Sequence, residues 1–403
     1  MCYQTNFNFI PVKILLLLFV TVLFSCSKNK IEVATETKYE ISAKWEIAVK
    51  DRLKPTDGAI YNNEYLVFSE QDGKRIIKSY NLLNKKLLWE YDFTSLSSWG
   101  SKMDIYKQYL VFSHEGRQIS AFDLNKKELI NTITSDAYIY TPSTYYNDKV
   151  YFSFQDHYDT KATIKSMNME DGIINEVYEW PFNKELFNRL TSPIVVKDIN
   201  NNINFIMLLQ LFNREKEENF YSETFLINVN EEGSLNWIDT LAASGRKIFF
   251  NKLPVLNNNN VIVNYSEILA SYNVNTGSKN WTTMVPYSPY IELISKNNHI
   301  YGEFGPDRNY AKINGETGEI IWDIRIFLRQ PTFKDFELFE NHMVVVSNNM
   351  GSLNMFNNTS GKYVAVENRT ESGIANPKFY AKDTLFITHQ YNKIIGFKLN
   401  AVN

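Results

Sequence analysis

Five histidines are the side chains of this 403-residue sequence best suited to acid–base or metal chemistry near neutral pH. The run Asp156-His157-Tyr158-Asp159 places a carboxylate on each side of a histidine, and it would offer metal ligands from a single loop. No further ligand follows at a defined spacing. We therefore interpret this run as a solvated loop and predict no metal site. The histidines are His114, His157, His299, His342 and His389.

Nucleophilic and phosphate-binding chemistry has no motif to support it. The sequence contains no Gly-x-Ser-x-Gly elbow, no phosphate-binding loop and no His-Glu-x-x-His helix. His114 and His389 each follow a strand-like run, Phe-Ser-His and Ile-Thr-His. We interpret both as polar residues at turns, which would share one face of a ring. We predict no catalytic residue.

The two cysteines are Cys2 and Cys26. An apolar run at 14–24 is too short to cross a bilayer and has the length of a signal-peptide core. It ends in Leu23-Phe24-Ser25-Cys26, which resembles a bacterial lipobox. The resemblance implies cleavage after Ser25 and lipidation of Cys26, whose acyl chains would anchor the protein to a membrane. The alternative is an ordinary secretory signal with an incidental cysteine.

We therefore expect a lipoprotein signal peptide at 1–25, a tether at 26–42 and one folded domain at 43–403. That domain would contain no thiol, which excludes disulfides, thiolate metal sites and cysteine nucleophiles. Lys and Arg total 42 against 45 Asp and Glu, a net charge of −3. A near-neutral chain of this kind is a poor nucleic-acid binder, so we expect no nucleic-acid partner.

The predicted strands and turns, which would position any functional site, recur along the chain as similar units. Each unit has two β-rich apolar runs separated by a polar turn, then an Asn/Gly turn and a short strand that often contains Trp. One looser unit carries a charged insertion, Arg214 to Glu218, which we interpret as a solvated loop tip or, alternatively, a partner-docking element. The units lie at 65–91, 109–133, 150–177, 205–238, 261–282, 300–323 and 344–366.

The spacing of the units predicts a β-propeller. Equivalent positions recur at about 44 residues, apart from the unit with the insertion, and this period is typical of blades of four short strands. Helical solenoids are disfavoured because the runs alternate with a period of two. The equivalent positions are Trp45, Trp89, Ile130, Glu176, Trp237, Trp281, Trp322 and Ala365.

The two ends complete one unit. Residues 43–50 resemble a fourth strand without its predecessors, and residues 377–399 resemble three strands without a fourth. We therefore predict an all-β fold, an eight-bladed β-propeller of four-stranded blades whose last blade is closed by the N-terminal strand. The alternative, an open stack, would expose hydrophobic strands at both ends.

The turn-and-strand motif resembles a known repeat. Asn275 to Trp281 and Gly315 to Trp322 are similar to the Thr-Gly-x-x-x-Trp element of PQQ-like propeller repeats. WD40 repeats are the nearby alternative, but their Gly-His element is absent. The resemblance covers about residues 43–400 and implies that the repeated tryptophans pack between blades. These structural tryptophans are Trp45, Trp89, Trp237, Trp281 and Trp322.

Two function classes follow from the resemblance. Quinone-binding members of the family are dehydrogenases with a tryptophan platform, calcium ligands and in many cases a vicinal cysteine pair. This chain lacks the pair, and calcium ligands cannot be placed, so we expect no cofactor. Other members are lipoproteins of the outer-membrane β-barrel assembly machinery. We therefore favour a non-catalytic scaffold that binds a protein partner in the bacterial cell envelope, at the outer membrane. The alternative is a ligand-binding or enzymatic propeller acting on a glycan, sugar or alcohol.

Overall fold

A computed structural model describes the chain from Lys38 to Val402 with internal gaps. The gaps are 55–57, 95–99, 115–117, 135–138, 156–160, 182–186, 213–221, 244–253, 266, 287–292, 305–308, 326–335, 340–341, 348–351, 368–377 and 381–384. The described residues form β-strands and no helix.

The strands of the first half are short and rich in β-branched and aromatic residues, as a half-buried pleated surface requires. They are β1 (Lys38–Ala48), β2 (Arg52–Leu53), β3 (Ala59–Tyr61), β4 (Glu64–Gln71), β5 (Lys74–Asn81), β6 (Leu87–Asp92), β7 (Gly100–Tyr106), β8 (Tyr109–His114), β9 (Gln118–Asp123), β10 (Glu128–Thr134), β11 (Ile139–Tyr146), β12 (Lys149–Gln155), β13 (Ala162–Asn168), β14 (Ile174–Glu179), β15 (Phe187–Leu190), β16 (Ile194–Lys197), β17 (Ile203–Phe212), β18 (Ser222–Asn230) and β19 (Leu235–Ala243).

The second half continues the same pattern to the end of the described chain. Its strands are β20 (Val255–Asn257), β21 (Asn260–Tyr265), β22 (Ile268–Asn273), β23 (Lys279–Met284), β24 (Ile294–Lys296), β25 (His299–Phe304), β26 (Asn309–Asn314), β27 (Ile320–Arg325), β28 (Phe336–Phe339), β29 (His342–Ser347), β30 (Ser352–Asn357), β31 (Tyr363–Glu367), β32 (Lys378–Tyr380), β33 (Leu385–Gln390) and β34 (Lys393–Val402).

Hydrogen bonding groups these strands into antiparallel sheets. Seven sheets are built from consecutive strands, and a closing sheet has the order β1-β34-β33-β32. We number the seven in chain order: sheet 1 (β2–β6), sheet 2 (β7–β10), sheet 3 (β11–β14), sheet 4 (β15–β19), sheet 5 (β20–β23), sheet 6 (β24–β27) and sheet 7 (β28–β31).

The prediction of eight four-stranded blades is wrong as stated. Only seven sheets are repeats of consecutive strands, and sheets 1 and 4 have five strands each because their first strand is split in two. In sheet 4 the break falls at Thr191-Ser192-Pro193. Pro193 has no N–H to donate to the ladder, and the backbone N–H of Leu208 instead donates to Thr191 Oγ1 at 3.0 Å.

The closing sheet joins the two ends of the described chain. β1 pairs with β34 from Lys38 opposite Val402 to Ala48 opposite Lys393. The predicted pairing of the N-terminal strand with the last unit is therefore present. The strand begins before residue 43, so part of the segment expected to be a tether belongs to the sheet. This pairing leaves no free edge on β34.

The core lies between successive sheets. One cluster joins the closing sheet to sheet 1 through Ile387 and Ile394 against Tyr65 and Val67. Other clusters join sheets 1 and 2, 2 and 3, 3 and 4, 4 and 5, 5 and 6, and 6 and 7. Strand β32 also contacts both β28 and β3. The contacts therefore run around a closed ring.

Candidate functional site

A polar groove of about 530 Å³ opens where sheet 4 meets a turn of sheet 5. We call it the asparagine groove, because six of its ten lining residues are asparagines. It lies at the end of the sheet where the turn before β17 and the turn between β18 and β19 meet. Its lining is Asp198, Ile199, Asn202, Asn204, Asn228, Asn230, Glu232, Asn236, Asn275 and Thr276.

Three asparagines on adjacent strands form one side of the groove. Asn204 on β17 and Asn228 on β18 are 5% and 1% exposed, whereas Asn236 on β19 is exposed. Asn236 Nδ2 donates to Asn204 Oδ1 at 2.8 Å and to Asn228 Oδ1 at 3.0 Å. The sheet therefore buries amide groups in a bonded row, which fixes their orientation.

Sheet 5 supplies the opposite side. Asn228 Nδ2 donates to the carbonyl of Val274 at 2.9 Å, and Trp237 Nε1 donates to the same oxygen at 3.0 Å. The next turn residues, Asn275 and Thr276, are held by backbone N–H donation to Asn273 Oδ1 at 3.0 and 3.1 Å. The side chains of Asn228 and Trp237 in sheet 4 thus hold this turn of sheet 5 in place.

The charge at the groove is negative. Asp198 and Glu232 line it, and no lysine or arginine is among the described lining residues. Asp198 accepts backbone hydrogen bonds from Asn200 and Asn202, both at 2.8 Å. Partial desolvation raises the pKa of Asp198, but these bonds and one from the Asn202 side chain outweigh it and hold the pKa below the ordinary value. The carboxylate is therefore charged at neutral pH.

The sequence does not predict this groove. Its abundant asparagines are expected at turns, and several do adopt the left-handed backbone, including Asn62, Asn258 and Asn298. Asn204, Asn228 and Asn236 instead sit inside strands, where asparagine is disfavoured. Asparagine at strand positions was the available signal, but only the strand register shows that the three are adjacent.

Three of the repeated tryptophans form the same inter-sheet contact. Trp237, Trp281 and Trp322 each donate Nε1 to a turn carbonyl of the following sheet, at 3.0, 3.2 and 3.1 Å. The acceptors are Val274, Gly315 and Asn358. We call this contact the tryptophan latch.

The other two tryptophans are placed differently. Trp89 donates to Glu64 of its own sheet at 2.8 Å while stacking on Phe122 of sheet 2. Trp45 packs against the closing-sheet cluster, and the Nζ of Lys85 lies 5.7 Å from its ring centroid. These tryptophan contacts are internal to the ring.

His389 lies within strand β33 and not at the turn that the sequence predicts for it. His389 is fully buried, with Nδ1 2.9 Å from the Tyr65 hydroxyl and Nε2 2.6 Å from the carbonyl of Lys54. Because a carbonyl can only accept, Nε2 carries a proton, and the ring joins the closing sheet to sheet 1. Among the described residues, no three metal-ligating side chains cluster.

The remaining histidines lie in strands or outside the described residues. His299 in β25 lies beside Tyr301, with ring centroids 6.4 Å apart, and His342 begins β29. His114 ends β8, and the run 156–159 containing His157 is outside the described residues. The interpretation of that run as a solvated loop therefore stays a prediction.

The predicted lipidation site also lies outside the described residues, as do Ser25, Cys26 and the charged run 214–218. In the part of the chain that the structure describes, no helix is long and apolar enough to cross a membrane. The predictions of a signal peptide, a lipid on Cys26 and a docking role for 214–218 therefore stay predictions.

Comparison with known proteins identifies the fold. No family model matches the sequence, and no curated protein is similar at the sequence level. Among solved structures, BamB from Moraxella catarrhalis is similar with a TM-score of 0.60 and 11% identity, covering 89% of this chain and 99% of that one. Quinohemoprotein alcohol dehydrogenase from Pseudomonas putida matches with a TM-score of 0.60 and 9% identity, covering 90% and 77%. A europium-containing methanol dehydrogenase matches at 0.58 and 10%, covering 86% and 84%.

Proposed function

We propose that this protein is a non-catalytic lipoprotein of the bacterial cell envelope whose β-propeller is a scaffold for a protein partner. The observation that carries the proposal is the likeness to BamB, a β-propeller of the outer-membrane assembly machinery, over nearly the whole of both chains. The same fold also occurs in dehydrogenases, so the fold alone does not assign the function.

The repeated side chains support a scaffold. The tryptophans are the most regular feature of the sequence, and their contacts are made to neighbouring sheets or to their own sheet. These contacts stabilise the ring. A ring held in this way presents rigid turns to a partner, which reduces the conformational entropy lost on binding.

The anchor in this proposal is Cys26. After cleavage at Ser25, acyl chains on Cys26 would hold residues 26–403 at the membrane, and the short segment before β1 would be the tether. The proposed location is the outer membrane. Replacement of Cys26 by Ala is expected to abolish labelling with palmitate and to release the protein from the membrane fraction.

The second candidate is a quinoprotein enzyme, favoured by the likeness to the two dehydrogenases. A quinone cofactor would need a stacking platform and a cation that polarises its carbonyls. Titration of the full-length protein with pyrroloquinoline quinone and Ca²⁺, followed by absorbance and calorimetry, separates the two candidates. Stoichiometric binding with dye reduction by an alcohol or a sugar would support the enzyme and contradict the scaffold.

Crosslinking in intact cells followed by affinity purification tests the scaffold directly. We expect a stoichiometric partner of the outer-membrane assembly type, recovered with the wild type and reduced for Cys26→Ala, because lipid anchoring raises the local concentration. The matched control variant is Asn280→Ala, which replaces an exposed residue of sheet 5 and leaves Cys26 in place. Recovery of no envelope protein by the wild type would contradict the proposal.

A further inference from the structure

We propose that the asparagine groove binds an extended polypeptide segment that carries a lysine or arginine. The inference rests on the proposed function, because it gives a scaffold the chemistry of its partner segment. Four observations support it: the amide lining, the hydrogen-bonding groups left available, the charge and the rigid support.

The amide lining matches a polypeptide main chain. An asparagine side chain presents one carbonyl acceptor and two N–H donors, the same groups that a peptide bond presents. Six asparagines from two sheets surround one groove. A segment without regular structure needs partners for both its N–H and its C=O groups, and mixed amides provide both.

Two of these amides keep an available group. Asn204 is 5% exposed and accepts from Asn236, yet no hydrogen bond among the described residues uses its Nδ2. Both bonds formed by Asn236 use Nδ2, so its Oδ1 is also without a described partner. Asn204 Nδ2 is therefore a donor, and Asn236 Oδ1 an acceptor, that are available to a ligand in the same groove.

The charge selects a cationic side chain. Asp198 and Glu232 line the groove without a neighbouring basic lining residue. Ile199 follows Asp198 and is 83% exposed. A lysine or arginine can lay its aliphatic stem on such an apolar side chain while its charged end reaches a carboxylate.

The groove is supported by rigid elements. β17 pairs with β18 without a break, β18 pairs with β19 apart from two register shifts, and the opposite turn is held by Asn228 and Trp237. The turn approaches so closely that a Cβ on Gly277 would lie 2.7 Å from the Trp237 ring. Because the groove is already formed before binding, few of its groups lose conformational freedom when a segment binds.

Two other ligands fit the lining less well. A glycan usually stacks its apolar faces on aromatic rings, and no aromatic residue lines the groove. A divalent cation needs several oxygen ligands, and the Asp198 carboxylate is already engaged by its own turn. Both are outcomes of the following test.

The test is calorimetric titration of the full-length protein in detergent with a short, end-blocked peptide of alternating lysine and serine. The glutamate–serine peptide, maltohexaose and CaCl₂ are titrated in parallel. The double variant Asn236→Ala/Asn275→Ala removes exposed lining amides without truncating the buried Asn204 and Asn228. The control is Asn280→Ala. Asn280 occupies the position before Trp281 in sheet 5, just as Asn236 occupies the position before Trp237 in sheet 4. Its side chain lies outside the groove and donates a hydrogen bond to Asn260 at 2.9 Å.

We expect the lysine–serine peptide to bind with a dissociation constant that rises about tenfold or more in the double variant and stays unchanged in the control. The glutamate–serine peptide should not bind. Binding of maltohexaose or Ca²⁺ in place of the peptide, binding of neither peptide, or equal binding by the double variant would each overturn the inference. If the partner still co-purifies from cells in those cases, only the groove assignment fails. If no partner co-purifies, the proposed function fails separately.

Discussion

The contacts of the tryptophans divide the ring into two regions. From sheet 4 to sheet 7, each tryptophan latch meets a turn glycine of the next sheet: Trp237 at Gly277, Trp281 at Gly318 and Trp322 at Gly361. At sheets 1 and 2 the corresponding left-handed turn position is a lysine, with φ of 62° at Lys85 and 60° at Lys127.

The difference follows from the missing Cβ. A Cβ at Gly277, Gly318 or Gly361 would lie 2.5–2.8 Å from the facing indole, closer than real contacts allow. Glycine therefore lets the indole reach the turn carbonyl, and it also adopts the left-handed backbone without strain. Where lysine occupies the turn, Trp45 lies instead against Gly396 of its own sheet.

The repeated tryptophans are recognisable in the sequence, but the contact that each one makes depends on the residue at the facing turn. The latched region also contains the asparagine groove, at the interface of sheets 4 and 5. The proposed binding site therefore lies at an interface that carries a tryptophan latch.

Deletion of residues 38–48 tests whether the unlatched side depends on ring closure. The deletion removes β1, exposes the edge of β34 and removes the contact of β1 with β31 of sheet 7, whereas the three tryptophan latches stay in place. We expect loss of a cooperative thermal transition, measured by circular dichroism and calorimetry. Trp45→Ala is the control, because it leaves the backbone of β1 intact. A deletion variant that melts like the wild type would contradict ring closure.

Replacement of Trp322 by Ala should destabilise the protein by about 3–5 kcal/mol, since it removes a buried aromatic side chain and a hydrogen bond. Trp45→Ala should cost about 1–3 kcal/mol, because the side chain is only partly buried and makes no latch. Urea unfolding of both variants measures the difference. Equal losses of unfolding free energy in the two variants would show that the tryptophan latch adds no stability beyond that of side-chain burial.

Substitution of the left-handed turn residues tests whether glycine is required where a tryptophan latch is present. Gly277→Ala should cost about 2 kcal/mol or more, because it combines a left-handed alanine with a contact against Trp237. Lys85→Gly should change stability by less than about 1 kcal/mol, since relief of the left-handed lysine offsets the lost contact with Trp45. Urea unfolding of the two variants under one set of conditions is the measurement. A larger loss for Lys85→Gly would reverse the comparison.

Lys312 gives the latched region a pH dependence. Its Nζ donates to the Asn358 carbonyl at 3.1 Å, the same acceptor that Trp322 uses, and desolvation lowers its pKa below 10.5. Because the folded state holds this proton less tightly than the unfolded state, raising the pH toward 10.5 stabilises the fold. We expect the free energy of unfolding to rise from pH 8 to pH 10 in the wild type relative to Lys312→Met. Identical pH slopes would contradict this assignment.

The sequence predicts the β class, the repeat and the pairing of the two ends, because alternation and a period of about 44 residues are local signals. It does not predict the split strands, which depend on the backbone around Pro193, or the tryptophan partners, which depend on the residue at the facing turn. The sequence does not predict the asparagine groove for a similar reason. Its residues are separated along the chain and become neighbours only through the register of β17, β18 and β19.

Native-state hydrogen exchange of the full-length protein tests the tryptophan latch most directly. Backbone amides of β23 and β27, which carry latched tryptophans, should exchange more slowly than those of β1 at the same depth in the sheet. In Trp322→Ala, protection should fall first in β27 and in the turn before β31, while β1 is unchanged. Uniform protection around the ring, or an equal loss in β1, would contradict the claim that the latch stabilises this half of the ring.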